Sequence, residues 1–538
     1  MFQISHEIPE MFQLFLKYFL KCFSFFSYLC YLKNVNSLKW RHSTVMKSSI
    51  KALFARYVLL NILSMVGVSC YVLADTFFIS RSAGADGITV LNMSLPFYNL
   101  IYGVGQMIGI GAAIRYSIER DEARRSTYFA EALIFVALFG SIFMLTGGLN
   151  PAAAVRLMGG DLAIAQLGAP YFRWMFLFAP AFMANYTVLG FVRNDGDPGI
   201  CMAATISSSL FNILFDYILV FPLGMGFAGA ALATGLSPLV SIAIASRHFF
   251  KSDNHIRFTL VPDSTPDRFQ QADFETVNSG TNQITQSESA KVAKQSHRTS
   301  DNNYIPPKNS GTHSIANTKR AGLPVRNLLL FCRLGLSSFI TEMASAVTTT
   351  LFNFLILSIT GNIGIAAYGV VANFAIVGTA LFNGLAQGSQ PLISQYYARD
   401  EHENLRHVWR LGITTAVMIA VLLNILVFSF TDQFVALFNS ENSTALRALA
   451  YPGLRIYFLG FLFSGLNIFL ASALSAENQA MPSAVISISR GFVAISICAF
   501  VLSHLFGMTG VFASYAASEA ITLLTALFLL NHHIISAS

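Results

Sequence analysis

Residues 201–223, CMAATISSSLFNILFDYILVFPL, are long and apolar enough to cross a lipid bilayer as one helix, yet they carry a single charge, Asp216. A spanning helix needs about 20 mainly apolar residues. An ionised Asp at the centre of a bilayer costs a few kcal/mol or more. This free-energy cost has to be offset, either by a function of the carboxylate or by a polar partner. Asp216 is therefore the first candidate for a functional residue.

The whole chain has the composition of an integral membrane protein. Of its 538 residues, 54% are hydrophobic and only 11% are charged, and the mean hydropathy is +0.57. These values lie outside the range of soluble globular domains. The same length criterion predicts an all-α protein with twelve transmembrane helices. They lie at about 56–80, 87–114, 127–147, 165–192, 199–221, 228–248, 327–357, 364–396, 411–430, 449–474, 482–503 and 509–530.

The basic residues predict the orientation of these helices. Four arginines lie between the second and third helices and three between the eighth and ninth, whereas the loops at 222–227, 358–363 and 504–508 carry no Lys or Arg. Cytoplasmic loops are enriched in Lys and Arg, so both termini are expected in the cytoplasm. The net charge of +7 then reflects basic loops and does not indicate nucleic-acid binding.

An internal repeat divides the chain into two halves. The stretch GADGITVLNMSLPFYNLIYGVGQMIGIGAA from Gly84 aligns with GNIGIAAYGVVANFAIVGTALFNGLAQGSQ from Gly361, and GFAGAALAT from Gly226 aligns with GMTGVFASY from Gly507. An even number of helices in each half makes the repeats parallel, which predicts two six-helix lobes related by a pseudo-twofold axis along the membrane normal. The expected organisation is an N-terminal lobe (51–250), a disordered cytoplasmic linker rich in Ser, Thr, Asn and Gln (251–322), and a C-terminal lobe (323–538).

The first 50 residues are interpreted as an N-terminal extension. Its apolar run is aromatic and interrupted by Lys17 and Lys21, which favours an interfacial helix over a spanning one. Translation from Met46 would omit it. A secretory signal peptide is disfavoured, because no small-residue cleavage site follows the apolar run.

Four polar residues of the first half fall at one depth in the predicted bilayer. Asp75 lies about 19 residues along the first helix, Asn212 and Asp216 lie at nearly the same height on the fifth, and Thr234 lies on the sixth. Asn212 and Asp216 are four residues apart and therefore share one helix face. Burial among apolar neighbours favours a protonated carboxyl, so a pair of such groups can take up and release a proton. The alternative is that these side chains only fix the packing of the lobe.

Charged residues elsewhere in the helices are harder to assign. Glu342 is interpreted as the only carboxylate in the middle of a second-lobe helix, and it is a candidate for cation or substrate binding. Arg173 and Arg455 occupy matched repeat positions near helix ends, where snorkelling or bracing is expected. The six cysteines are scattered without a CxxC pair, so neither a zinc site nor a disulfide framework is predicted.

Five motifs together resemble the multidrug and toxic compound extrusion (MATE) family, in particular the branch with Gram-positive multidrug pumps. They are LADTFFISRSAG (73–84), FVRNDGDPG (191–199), NILFDYILVFPLGMGFAGAALAT (212–234), SSFITEMAS (337–345) and LFNGLAQGSQPLISQYYARD (381–400).

The resemblance implies a role for each matched residue. Asp75, Asn212, Asp216 and Thr234 match a cation-coupling site for protons or sodium, and Glu342 matches a second-lobe carboxylate that binds cations in some members. The family's further acidic residue falls near Ser464 here, which implies an incomplete second-lobe sodium site. The linker is longer than is usual for the family.

The leading hypothesis is therefore a secondary active antiporter that exports amphipathic or cationic compounds in exchange for H⁺ or Na⁺ by alternating access. The resemblance implies a multi-pass protein of the bacterial inner membrane, acting as a monomer. We expect contacts with membrane lipid, no nucleic-acid partner, and no cofactor or metal other than the coupling ion.

Two other functions compete with this hypothesis. A lipid-linked saccharide flippase of the same superfamily would line its cavity with basic residues, whereas the candidate residues here are mainly acidic. An intramembrane enzyme is disfavoured, because HENLRH (402–407) spaces its histidines five residues apart and no GxxxxGK[ST] loop occurs.

Overall fold

A computed structural model describes residues 50–158, 161–259, 325–438 and 443–537. The N-terminal extension up to residue 49 and most of the proposed linker lie outside the described residues. The described part contains α-helices, short 3₁₀ and π segments, and no β-strand.

The first lobe contains six membrane-spanning helices. They are α1 (Ile50–Ala83), α2 (Thr89–Ile118), α3 (Tyr128–Leu149), α4 (Leu162–Leu177 and Ala179–Asn194), α5 (Pro198–Val220) and α6 (Gly226–Phe250). Helical backbone continues through residues 84–88 between α1 and α2. Short helices at Glu122–Arg125 and Pro151–Leu157 lie in the connections on either side of α3.

The second lobe repeats this arrangement. Its helices are α7 (Val325–Gly361), α8 (Ile363–Ala398), α9 (His402–Ala436) and α10 (Thr444–Leu459 and Phe461–Ala476), followed by a 52-residue helical stretch, Ala480–Asn531. That stretch would be about 78 Å long as a straight helix, more than twice the thickness of a hydrocarbon core. Gly507 interrupts it with a φ of 57°, so it forms α11 (480–506) and α12 (508–531). The described residues thus form an all-α, multi-pass membrane protein, and they contain the twelve spans that were predicted.

The helix ends and breaks follow from local sequence. Asp161, Asp197 and Ser443 accept hydrogen bonds from backbone N–H groups three residues later and cap the helices that follow. Gly226 and Gly507, paired by the repeat, both have positive φ (54° and 57°) at the start of α6 and α12. A side chain would be strained in this conformation.

The bent helices α4 and α10 also match. Their two halves meet at 40° and 41° respectively, and each first half contains an internal proline, Pro170 or Pro452. These prolines are separated by the same 282 residues that separate Arg173 from Arg455. The equal bends at equivalent positions are the structural counterpart of the sequence repeat.

Each lobe has its own apolar core. The largest cluster in the first lobe runs from Ile79 to Ile256 and includes Phe331 of α7, with Leu328 packed against it. The largest second-lobe cluster lies entirely between Phe352 and Tyr515. Large apolar side chains such as Phe354 and Phe528, both 71% exposed, cover the outside. Such residues suit contact with lipid.

The lobes meet along two symmetric helix pairs. Gly111 of α2 packs directly against the backbone of α7 at Phe331, and Gly388 of α8 packs against the backbone of α1 at Val58. Gly111 and Gly388 are equivalent in the repeat. Glycine is required at both positions because any side chain would collide with the neighbouring backbone.

Candidate cation site and its surroundings

Asn212 on α5 is the centre of the polar layer predicted for the first lobe. Its side-chain amide lies 3.1 Å from Thr234 Oγ1 on α6. With the amide oriented to satisfy both of its ends, Asn212 accepts from Thr234 and donates to Asp216 Oδ2 at 3.2 Å. Asn212 and Asp216 are 0% exposed and Thr234 is 5% exposed. The four-residue spacing on α5 thus gives the shared face that was expected.

Asp75 approaches this layer from α1. Ala74 and Phe78, which flank it, belong to one apolar cluster with Ile213 of α5. This packing leaves the buried Asp75 carboxylate close enough to Asp216 for the two groups to interact electrostatically. Helices α1, α5 and α6 therefore bring all four predicted residues together.

Both aspartates retain an unpartnered oxygen. Asp75 Oδ1 and Asp216 Oδ1 are buried and have no hydrogen-bond partner, and within the described ranges no basic side chain forms an ion pair with either carboxylate. Buried polar atoms without partners are rare and costly. Together with the amide and hydroxyl oxygens of Asn212 and Thr234, they form an oxygen-only site, which suits H⁺ or a hard cation such as Na⁺. No cluster of three or more His, Cys, Asp or Glu side chains that could hold a metal ion occurs in the part of the chain that the structure describes.

Tyrosines surround Asp75, and the sequence interpretation missed them. Tyr71, one turn before Asp75, and Tyr171 of α4 both interact electrostatically with Asp75. The Tyr171 ring lies 6.3 Å from that of Tyr98, which stacks on Tyr102 at 5.7 Å. The available signal was the four-residue spacing of Tyr71 from Asp75 and of Tyr98 from Tyr102, which places each pair on one helix face.

Glu342 lies at the contact between the lobes. Its Oε1 accepts a hydrogen bond of 2.6 Å from Gln106 Nε2 on α2, and Gly103, also on α2, packs beside it. Tyr71 interacts electrostatically with Asp75, Asp216 and Glu342. The second-lobe candidate is therefore not part of the Asn212 cluster but lies on α7, where the lobes meet.

Polar contacts hold the lobes together at one end of the molecule. Asn194, at the end of α4, and Gln390 of α8 exchange two buried amide hydrogen bonds of 3.3 and 3.1 Å, and Gln395 donates to the Asn194 carbonyl. Arg120 forms an exposed ion pair of 2.6 Å with Asp400. We call this region, formed by residues 117–131, 194, 327 and 390–400, the closed end. It contains the arginine-rich loops that were predicted to be cytoplasmic.

A compact charged cluster supports the closed end from inside the first lobe. His248 places Nε2 2.8 Å from Asp195 and Nδ1 3.2 Å from Asp197. Because a neutral imidazole can donate from only one nitrogen, this geometry favours a doubly protonated ring. Lys251 also pairs with Asp197.

The two aspartates of this cluster are held in their ionised form. Burial opposes ionisation, but hydrogen bonds from His248, the His255 backbone N–H and Tyr116 lower the pKa of Asp195 below its usual value. Burial likewise opposes ionisation of Asp197, while His248 and Lys251 lower the pKa of that carboxyl. Since Asp195 directly follows Asn194, the cluster fixes the end of α4 that carries the closed-end amide.

The prediction that Glu342 is the only carboxylate in the middle of a second-lobe helix is wrong. Glu519 lies within α12 with its side chain 2% exposed, and its Oε1 is 2.6 Å from Arg490 Nε on α11. An opposite charge at this distance compensates for burial, so the pair can remain within the membrane-spanning region.

The two matched arginines differ in their contacts. Arg455 Nε donates to Thr431 Oγ1 at 3.1 Å, and its guanidinium lies 4.4 Å from the Tyr451 ring centroid. It therefore braces α9 against α10. Arg173 is exposed.

Comparisons with known proteins agree with this architecture. The MatE family model matches residues 61–218 and 338–501, one stretch in each lobe. The multidrug export protein MepA of Staphylococcus saprophyticus is 23% identical over 462 residues, which cover 85% of this chain and 88% of that protein. MepA of Staphylococcus aureus is 22% identical over 463 residues, with the same shares.

Solved structures share the fold. An outward-facing multidrug resistance MATE family transporter of the MOP superfamily is 20% identical, with a TM-score of 0.74 over 91% of this chain and 97% of that one. A MOP superfamily transporter from Pyrococcus furiosus gives a TM-score of 0.73 at the same identity and coverage. Because the family model covers more than half of the chain and matches both lobes, the chain belongs to the MatE family, the multidrug and toxic compound extrusion family that its motifs resemble.

Proposed function

We propose that this protein is a secondary active multidrug efflux antiporter, which exports amphipathic or cationic compounds in exchange for H⁺ or Na⁺ by alternating access. The observation that carries the proposal is the pair of buried carboxylates, Asp75 and Asp216, each with an unpartnered oxygen. A bound proton or another cation would neutralise these carboxylates, because no basic residue of the described ranges does so. The relatives named multidrug export proteins support the same function.

The coupling cation binds among Asp75, Asn212, Asp216 and Thr234. Binding of one monovalent cation cancels one of the two carboxylate charges and changes the packing of α1 against α5 and α6. A ligand shifts a conformational equilibrium only if it binds the two states with different affinities. The cation must therefore bind more tightly when the space between the lobes is open to one particular side of the membrane. The contacts of the closed end then break and re-form as the space between the lobes opens to one side of the membrane and then to the other.

Partly buried aromatic side chains near Glu342 suit amphipathic cations. Tyr71 and Tyr102 provide aromatic faces that attract cations and tolerate varied shapes. Glu342, hydrogen-bonded to Gln106 where the lobes meet, provides a negative charge near these rings. Both the substrate and the coupling ion are attracted by the buried carboxylates. Each can therefore weaken binding of the other without contacting all of the same side chains.

The remaining features follow from the predicted orientation. We place the closed end and both termini in the cytoplasm of a bacterial cell, with the protein in the cytoplasmic membrane. The protein acts as a monomer and needs no cofactor besides the coupling ion.

The test is ethidium efflux from energised cells that lack their own pumps. The Asp216→Asn variant removes the charge while keeping a side chain of nearly the same size. The matched control is Asp432→Asn, because Asp432 is 54% exposed and pairs with Arg447 on the protein surface. Cells are tested with and without a protonophore, and with sodium replaced by choline.

Loss of efflux in Asp216→Asn, with activity retained in Asp432→Asn at equal expression, supports coupling at this site. Sensitivity to the protonophore or to sodium removal identifies the ion. Equal efflux by wild type and Asp216→Asn would refute the coupling role. If the wild type exports no dye, the multidrug function is contradicted, and transport of a lipid-linked saccharide is the next activity to measure.

A further inference from the structure

The second lobe contains a buried polar network built around Arg490 and Glu519. Arg490 Nε donates to Glu519 Oε1 at 2.6 Å, and its Nη2 donates to Ser464 Oγ at 3.0 Å. Asn467 Nδ2 donates to Glu519 Oε2 at 2.8 Å, and Tyr515 OH donates to Ser464 Oγ at 2.9 Å. Helices α10, α11 and α12 thus converge on one ion pair.

Arg490 reaches Glu519 from an irregular point of its helix. Residues 489–493 form a π-helical turn within α11. π-helical turns within α-helices are rare, and they frequently lie at functional sites. The next residue, Gly491, packs against Ala344 of α7, so the turn is also fixed against the helix that carries Glu342.

The two lobes differ in whether their buried carboxylate oxygens have hydrogen-bond partners. In the first lobe, Asp75 and Asp216 each keep a buried oxygen without a partner. In the second lobe, both oxygens of Glu519 are hydrogen-bonded, one of them to a guanidinium. Among the described residues of this network, the unpartnered buried atom is Asn467 Oδ1, an acceptor with no donor in reach.

We propose that Arg490 is a tethered counter-cation, which occupies a latent monovalent-cation site formed by Glu519, Ser464, Asn467 and Tyr515. The four residues present one carboxylate, one amide oxygen and two hydroxyl oxygens, which is a donor set suited to Na⁺ or H⁺. With Arg490 in place, this site exchanges no ion, and the second lobe keeps its buried charge balanced throughout the transport cycle. The statement that the first lobe exchanges ions while the second does not rests on the proposed function. The statement that Arg490 occupies the second-lobe site does not depend on it.

The test is the thermal stability of the purified full-length protein in detergent, with NaCl or choline chloride at equal ionic strength and at several pH values. Arg490→Gln removes the charge and frees the space beside Glu519. Arg490→Lys keeps a cation, and Arg490→Gln/Glu519→Gln removes both charges. Wild type and Glu519→Gln complete the series.

We expect Arg490→Gln to unfold several degrees below wild type, and to regain much of that loss as sodium rises or pH falls. A ligand that binds the folded state raises the melting temperature in a concentration-dependent manner. Arg490→Lys, Glu519→Gln and the double variant should show no such gain. The double variant should unfold above both single charge variants, because no uncompensated charge is left.

Two results would overturn the proposal. One is an Arg490→Gln protein as stable as wild type and indifferent to sodium and pH. The other is an equal sodium response in the double variant, which would place the bound ion elsewhere. If Arg490→Gln yields no folded protein in either salt while the double variant folds, the latent cation site is also refuted, since sodium then fails to replace the guanidinium. None of these readouts depends on drug efflux, so they stand apart from the test of Asp216.

Discussion

Replacing Gln390 by Leu should open the closed end. Leu is close to Gln in volume, and the change removes both amide hydrogen bonds between Gln390 and Asn194. Asn194 keeps its other partners, because its Nδ2 donates to the Gly190 carbonyl at 2.8 Å and its Oδ1 accepts from Ser117 at 2.7 Å. No buried polar group is therefore left without a partner in the variant.

The magnitude follows from the two bonds. Each neutral hydrogen bond contributes about 0.5–1.5 kcal/mol net, so the variant loses about 1–3 kcal/mol of stabilisation in the closed-end state alone. That free energy shifts the equilibrium between closed and open states by roughly 5- to 150-fold. A state too rare to detect in the wild type would become measurable.

The assay is a distance measurement between spin labels at positions 122 and 403, in a background without native cysteines. Both residues are exposed; residue 122 lies within the closed end, and residue 403 lies in the other lobe, three residues beyond it. Gln390→Leu should add a population at longer distance. Ser389→Ala is the control, because Ser389 bonds only within its own helix, to the carbonyls of Leu385 and Ala386. Identical distance distributions in wild type and Gln390→Leu would refute the role of the amide pair.

Two further substitutions test neighbouring contacts. Gly388→Val should push α8 away from the α1 backbone and destabilise the closed-end state by about 1–3 kcal/mol. The distance between the same two labels should therefore increase. The control is Gly148→Ala, whose added methyl group meets no atom within 4 Å and should not change that distance. His248→Gln should lower the free energy of unfolding by about 1.5–3 kcal/mol at pH 7 through loss of a charged hydrogen-bond partner of Asp195. The lowered pKa of Asp195 stabilises the folded state above the unfolded pKa of about 3.9, and this contribution is lost as pH falls through the folded pKa. The gap in melting temperature between wild type and His248→Gln should therefore shrink as the pH falls below about 4, and a gap that does not change with pH would contradict this reasoning.

The helices could be predicted from hydropathy because lipid contact dominates the sequence. The predicted fifth and sixth helices, 199–221 and 228–248, lie within two residues of α5 and α6 at each end. The ninth helix was predicted from residue 411, but α9 begins at His402. Residues 402–410, HENLRHVWR, continue the helix beyond the apolar region, and a hydropathy criterion detects only the part that contacts lipid.

The candidate site could be predicted only as far as it follows helix periodicity. Asn212 and Asp216 were expected to share a face, and they do. Arg490 and Glu519 were missed, although they are the only charged residues in the predicted helices 482–503 and 509–530. Two opposite charges near the middle of adjacent antiparallel helices indicate a pair. Their exact register depends on the π-helical turn at 489–493, which no periodicity predicts.

The weakness of the closed end is itself consistent with cation-driven transport. One proton moved down one pH unit provides about 1.4 kcal/mol, and one charge moved through 100 mV provides about 2.3 kcal/mol. Three neutral hydrogen bonds, two between Asn194 and Gln390 and one from Gln395 to the Asn194 carbonyl, cost about 1.5–4.5 kcal/mol to break. The Arg120–Asp400 pair, with side chains 58% and 66% exposed, adds at most about 1 kcal/mol. The proposed coupling ion therefore supplies free energy of the same order as the opening of this end requires, whereas a buried ion pair such as Arg490–Glu519 placed there would add about 3–5 kcal/mol or more to that requirement. The distribution of polar contacts follows this requirement, with the permanent pair inside a lobe and the weak, exchangeable contacts between the lobes.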